Sequence, residues 1–247
     1  MPVADDILQE IRWEPNQPPA DLPRQERLRR IRHSASHLMA QAVREVFPEA
    51  KLAIGPPIEN GFYYDMELPR PLREEDLPDL EKRMARIIAR DPQLFRAQLP
   101  RARAMDLFRA WQQPYKLELL AGIGDDQVSL YKQDRFIDLC AGPHVAQGGV
   151  CGHVKLLSVA GAYWRGDEHN PMLQRIYGTA WETDAELAEY LQFLEDAKAR
   201  DHRKLGLQLD LFSFHPWSAG CPFWHPRGLT VREELRRLWR ETHKKAG

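Results

Sequence analysis

Apolar residues in this chain recur in two rhythms, and the order of those rhythms restricts the fold more than any other feature. Across residues 24–47, Leu28, Ile31, Ala35, Leu38, Ala42 and Val46 return at spacings of three and four, which predicts an amphipathic helix ended by Pro48. Residues 77–90 repeat the pattern with Leu77, Leu80, Met84, Ile87 and Ile88, and Pro78 is tolerated in the first turn. Residues 102–112 fit a shorter helix. Turn and strand signals fill the intervals: Gly55-Pro56-Pro57, then Asn60-Gly61 before Phe62-Tyr63-Tyr64, a hairpin signature. From 115 to 181 the chain reads mostly as strand, at 128–132, 136–140, 154–159 and 173–180. Thr183 or Asp184 then caps a long helix that stops near Gly206. Residues 207–224 read as loop and strand, and 230–243 as a final helix. Pro2, Pro15, Pro18, Pro19 and Pro23 make residues 1–23 an extended lead-in. Helices and strands are grouped and do not alternate, so the expected class is α+β.

Composition narrows the environment. The 247 residues carry 35 Lys and Arg against 36 Asp and Glu, a formal charge of −1, with 43% hydrophobic and 29% charged residues. These values exclude a disordered chain and a disulfide miniprotein. No apolar run reaches the roughly 20 residues that span a bilayer, and the N-terminus lacks the basic and apolar regions of a signal peptide. Three cysteines, an odd number, fit a reducing cytoplasm better than a disulfide framework.

Two short patterns carry chemistry. His33 and His37 stand four apart in the first helix, so both imidazoles project from one face, opposite the stripe of Leu28, Ile31, Ala35 and Leu38. That placement argues against two core histidines. Ser34 stands where a metalloprotease would carry its glutamate base, which excludes that reading. Asp138-Leu139-Cys140-Ala141-Gly142-Pro143-His144 sets a cysteine and a histidine four apart across a forced turn. Two helical histidines and a Cys/His loop supply four N and S donors, the inventory of a zinc site. Without zinc, the same groups orient a water and move its proton, as ester hydrolysis requires. His153, His169, His202, His215, His243 and Cys151 read as surface or structural residues. Gly122-Ile123-Gly124 is a poor phosphate loop, because Asp125 and Asp126 follow it.

With these residues in view, the chain resembles the editing region of threonyl-tRNA synthetases. The resemblance is carried by residues 32–38 (RHSASHL), 61–65 (GFYYD), 138–144 (DLCAGPH), 161–167 (GAYWRGD), 174–180 (QRIYGTA) and 200–206 (RDHRKLG). Residues 223–228 (FWHPRG) and the helix after them look like the first signature motif of class II synthetase catalytic domains. The resemblance implies an editing domain over 24–182, of the threonyl/alanyl-tRNA synthetase second additional domain type, with helices packed on antiparallel sheet. A linker helix over 183–206 and the start of a class II catalytic domain over 207–247 would follow. The family's usual small N-terminal domain, its second and third catalytic motifs and its anticodon-binding domain are not matched, so charging of tRNA is not expected of this chain alone.

The implied activity is hydrolysis of Ser-tRNA(Thr), the product of confusing serine with threonine, by water attack on the aminoacyl ester. His33, His37, Cys140 and His144 would line the site with Asp138 and Lys116 as further catalytic residues, and Tyr64 and Arg32 would contact substrate. Lys116 would hold the terminal ribose or stabilise the oxyanion, and Asp138 would bind the substrate ammonium or orient a histidine. The threonyl type implies a metal-free mechanism. The related alanyl type binds zinc through the same four positions, so a zinc-dependent hydrolase is the alternative, beside a non-catalytic tRNA-binding remnant. ATP and Mg²⁺ belong only to complete family members. The expected partners are the acceptor end of tRNA(Thr), met by Arg24, Arg27, Arg29, Arg30 and Arg32, and a second copy of the chain through the basic C-terminal helix. No membrane association is expected.

Overall fold

The computed structural model describes residues 2–247, which divide between Leu187 and Ala188 into two compact units. The first unit holds helices α1 (Pro2–Glu10), α2 (Arg24–Val46), α3 (Leu77–Ala89), α4 (Arg101–Ala110) and α5 (Pro114–Ala121). Its strands are β1 (Glu14–Pro15), β2 (Lys51–Leu52), β3 (Pro57–Ile58), β4 (Gly61–Glu67), β5 (Leu94–Pro100), β6 (Gln127–Gln133), β7 (Phe136–Leu139), β8 (His153–Tyr163) and β9 (Met172–Trp181). They build two antiparallel sheets, one in the order β1-β5-β6-β7 and one in the order β2-β4-β9-β8 with β3 on β4. The class is α+β, as expected.

α2 packs on the five-stranded sheet, against β4 and β9, and α3 packs beside it. Phe62, Tyr64, Met66, Ile176 and Ala180 meet Leu38, Met39, Ala42 and Val43 in the larger core. Every residue from Ile31 to Val43 is buried, so the helix is amphipathic without having a wet face. The histidine face was expected to stand apart from the core. Instead it is enclosed by the chain that leaves β7.

Three elements differ from the sequence reading. Residues 2–10, expected to be extended, form α1, and Ala4, Ile7 and Ile11 enter a second core with Leu107, Phe108 and Leu120. Their spacing is helical, and it outweighs the prolines, which apart from Pro2 at the start of α1 punctuate only residues 15–23. Residues 115–121, expected with the strands, belong instead to α5, with Pro114 in the first turn and Gly122 just past the last. The long helix expected to stop near Gly206 divides in two. α6 (Asp184–Ala199) ends before Arg200, and Asp201 accepts the Arg203 N–H at 2.8 Å to cap α7 (His202–Gln208).

The hairpin expected at Asn60-Gly61 is present, but its turn residues are Glu59 and Asn60, because Ile58 pairs with Gly61. Gly61 is required for space. A Cβ there would lie 2.2 Å from the Gly178 carbonyl oxygen.

The second unit completes the chain with α7, β10 (Phe212–Ser213) paired antiparallel to β11 (Phe223–Trp224), and α8 (Pro226–Ala246). His225 binds Asp210 through Nδ1 (2.7 Å) and Ser213 through Nε2 (3.0 Å), which fixes the entry to α8. Among the described residues, no helix is long and apolar enough to cross a membrane.

Candidate active site

α2 delivers two imidazoles on one face, and the segment after β7 delivers a thiol and a third imidazole opposite them. Gly142 makes the turn between Cys140 and His144. Its φ is 76°, and a Cβ there would lie 2.4 Å from the Tyr131 hydroxyl, so glycine is demanded twice. One donor atom from each of His33, His37, Cys140 and His144 falls within 4.8 Å of the others. The four expected residues thus come together from positions more than a hundred residues apart in the sequence.

Hydrogen bonding sets the tautomers of the metal-free cluster. His33 Nδ1 lies 3.1 Å from the Pro143 carbonyl, which only accepts, so Nδ1 carries the proton and Nε2 offers a lone pair. The Cys140 thiol, 3.3 Å away, donates to that lone pair. His144 then donates from Nε2 to Cys140 Sγ at 3.2 Å and accepts at Nδ1 from Ser34 Oγ at 3.0 Å. Ser34 Oγ also accepts the Val145 N–H at 3.1 Å, and Gly142 N–H donates to the sulfur at 3.2 Å. Ser34 was not anticipated as a site residue. Its signal was a small hydroxyl beside His33 in a helix interior, where serine usually seeks a specific partner.

Beside the cluster lies a buried charged trio. Lys116 Nζ is 2.6 Å from Asp138 Oδ1 and donates to Tyr64 OH at 3.1 Å, while Tyr64 OH donates to Asp138 Oδ2. Asp138 Oδ1 has no hydrogen bond of regular geometry, so Lys116 holds it by charge and proximity. The two charged side chains are 3% and 2% exposed. His37 Nε2 lies 3.7 Å from Asp138 Oδ2 and joins the trio to the cluster.

Burial keeps the cluster neutral. It pushes His33 down to about 4 and His37 to about 3, and it holds His144 well below the usual imidazole range. The Asp138 carboxylate opposes this for His33 and His37 without overcoming it. The Cys140 thiol is pushed up to about 12 by the same desolvation, and burial next to Asp138 raises Tyr64 well above 10. At neutral pH the site therefore presents three free imidazoles and a thiol beside one ammonium–carboxylate pair.

The donor set fits a zinc ion. Tetrahedral zinc with nitrogen and sulfur ligands spaces neighbouring donors by about 3.5 Å, near the 3.2–3.3 Å from Cys140 Sγ to both Nε2 atoms. Pro143 O and Ser34 Oγ would orient His33 and His144 from behind, as outer partners of metal-bound histidines do. Four protein donors would also fill a tetrahedral shell, whereas a hydrolytic zinc keeps one position for water.

Two further expectations meet a different geometry. Arg32 lies on α2 beside His33 but turns away from the cluster. It donates from Nε to Ala180 O at 3.2 Å and from Nη1 to Glu59 O, with its guanidinium 4.7 Å from the centre of the Trp181 ring. It clamps backbone, so its expected role on substrate is not borne by its position. The basic start of α2 is largely paired: Arg24 with Glu186 (2.7 Å), Arg27 with Glu182 (2.6 Å), and Arg29 and Arg30 with Glu26 (3.4 and 3.0 Å).

Similarity to known proteins agrees with this geometry. Residues 128–177 match the family described as the threonyl and alanyl tRNA synthetase second additional domain, a stretch that includes Asp138, Cys140 and His144. The chain is 53% identical over 218 residues to a threonine–tRNA ligase of Clostridium tetani, covering 88% of this chain and 34% of that protein. It is 52% identical over 223 residues to one from Polaromonas naphthalenivorans, covering 90% of this chain and 35% of that protein. The chain thus spans about a third of the length of these relatives. By its matched domain and by this identity along most of its length, the chain belongs with the threonine–tRNA ligases, as the part that contains their second additional domain.

Proposed function

We propose that the first unit hydrolyses serine from Ser-tRNA(Thr), and that His33, His37, Cys140, His144, Asp138, Lys116 and Tyr64 form its active site. The observation that carries this reading is the convergence of four neutral N and S donors, within 4.8 Å of one another, beside the buried Lys116–Asp138 pair. Such a pocket supplies a proton acceptor and a fixed positive charge, which are the two requirements of ester hydrolysis. His33 is the most exposed of the three imidazoles, at 8% against 3% and 0% for His37 and His144, so it meets solvent first and acts as the base. Water attacks the ester carbonyl carbon as its proton passes to His33 Nε2. The resulting oxyanion is held by the Lys116 ammonium. Collapse breaks the bond to the ribose oxygen, which takes the proton and leaves as tRNA, with serine released. Threonine is rejected because its extra methyl does not fit, a discrimination worth about 1–3 kcal/mol when one methyl decides.

The activity in the relatives' name, threonine ligation, draws on ATP and Mg²⁺, which enter no step here. tRNA is the proposed partner and the cytoplasm the proposed compartment. A second reading, a zinc-dependent hydrolase of the alanyl type, is favoured by the donor spacing alone. Zinc held by His33, His37, Cys140 and His144 would supply Lewis acidity. Hydrolysis that survives exhaustive chelation supports the metal-free reading, and loss restored by added zinc supports the alternative. Replacing His33 and His37 together by alanine should slow hydrolysis by about 10²- to 10⁴-fold; an unchanged rate contradicts the assignment of the site.

A further inference from the structure

The lysine of the proposed site rides on a helix of only two turns, and that helix is fastened from its other side. On α5, Lys116 and Leu120 are one turn apart and face inward, where Leu120 joins the second core. Tyr115, Glu118 and Leu119 lie on the adjacent face. They meet the tip of the β8–β9 hairpin. Trp164 packs with Tyr115, Leu119, Ala53 and Leu173 in a small core of its own, its ring centre 5.2 Å from that of Tyr115. Trp164 Nε1 donates to Glu118 Oε2 at 2.8 Å, and Arg165 Nε pairs with Glu118 Oε1 at 2.9 Å. Arg165 holds a φ of 57°, a conformation a non-glycine side chain adopts against its preference. That turn places the Trp164 indole and the Arg165 guanidinium on the same carboxylate.

We propose that Trp164 and Glu118 are positioning residues for Lys116, acting as a latch that fixes the rotation of α5 about its axis. This inference rests on the editing reading above, in which the Lys116 ammonium holds the oxyanion. The geometry explains why a latch matters. A lysine ammonium stands far from its helix axis, so a rotation of about 10° carries it about 1 Å. Lys116 has two close partners, Asp138 Oδ1 at 2.6 Å and Tyr64 OH at 3.1 Å, and such a displacement weakens both. Gln113, just before α5, accepts the Leu52 N–H at 2.7 Å and donates to Ala50 O at 3.0 Å, which anchors the start of the helix. The Glu118 contact lies a full turn further along and supplies the second point that rotation requires. A cationic group misplaced by about 1 Å costs rate more than binding, because positioning acts on the transition state.

The test compares the full chain with Trp164→Phe, which keeps a ring and removes the N–H donor, and with Glu118→Ala and Glu118→Gln. The first readout is the rate at which acetic anhydride acetylates Lys116, followed by peptide mass spectrometry under native conditions. The second is kcat and KM for Ser-tRNA(Thr) hydrolysis. Trp164→Phe and Glu118→Ala are expected to speed Lys116 acetylation by about fivefold or more. The same two variants should lower kcat about tenfold with KM little changed. Glu118→Gln, which still accepts from Trp164, should recover most of the loss. Lys116 acetylation and kcat both at the wild-type level in Trp164→Phe and Glu118→Ala would overturn the latch. If Trp164→Phe fails to fold, the Glu118 pair decides alone. Wild-type protein that shows no hydrolysis overturns the editing reading, while the acetylation measurement still decides whether the latch holds Lys116.

Discussion

At the scale of residues, the site is an arrangement of groups that burial forces into particular protonation states. Lys116 and Asp138 are the charged exception, and each is tolerable only because of the other. Lys116→Met leaves a carboxylate in the interior without its ammonium and is expected to cost about 3–5 kcal/mol in urea unfolding. Lys116→Met combined with Asp138→Leu should cost clearly less than that single replacement, since the unpaired charge is gone; equal losses would mean that the pair is better solvated than its 3% and 2% exposure indicates. The imidazoles give a pH signature. His33 sits at about 4 in the folded protein against 6.5 in the unfolded chain. Between those values the unfolded chain binds a proton that the folded chain refuses, so stability is full above pH 6.5 and falls as the pH drops toward 4. By pH 5 the loss from His33 alone is about 2 kcal/mol, and His37, at about 3, adds to it in the same direction. Urea unfolding of chelator-treated protein at pH 7 and pH 5 measures this, and equal stabilities at the two values would contradict it.

At the scale of elements, close packing around α2 fixes the site, and single atoms decide where it can be altered. Gly61→Ala places a methyl group 2.2 Å from the Gly178 carbonyl oxygen. It is expected to cost about 1–3 kcal/mol by pushing β4 from β9; a neutral effect on the thermal midpoint would show that the two strands separate freely. α2 and its histidine pair were legible because spacings of three and four from Leu28 to Val46, closed by Pro48, suffice to specify a helix. The burial of that pair was not legible, since periodicity places His33 and His37 on one face without saying what covers it. What covers it is the loop from Cys140 to Val145, a contact of more than a hundred residues' separation. α5 was misread because Tyr115-Lys116-Leu117-Glu118-Leu119 offers both periods at once, and the boundary residues Pro114 and Gly122 were the discriminating signals. α1 was readable from Ala4, Ile7 and Ile11 and was obscured by the prolines further along. Arg32 shows the limit from the other side. A residue adjacent to His33 in sequence points about 100° away on a helix, here into the carbonyls of Glu59 and Ala180.

At the scale of the molecule, a chain with a formal charge of −1 commits many of its cations to local acids, as Arg24 to Glu186 and Arg27 to Glu182. On α8, Arg236 and Arg237 likewise pair with Glu233, Glu234 and Glu241. Long-range attraction to the proposed tRNA partner therefore has to come from the remaining cations, and that binding is expected to weaken with salt less steeply than the arginine count implies. α8 also presents Leu235, Leu238 and Trp239, each 62% exposed. Apolar surface of this kind favours association, so the chain is expected to sediment as a concentration-dependent oligomer. Leu235→Glu with Leu238→Glu should return it to monomer, and a wild-type monomer at all concentrations would contradict the expectation. The proposed chemistry resides in the first unit, where the matched domain, the four donors and the Lys116–Asp138 pair all lie. The most direct test of that claim is a deacylation assay of the full chain on Ser-tRNA(Thr) and Thr-tRNA(Thr) side by side. Rapid release of serine with threonine retained is expected; equal release from both, or from neither, would contradict the proposed activity.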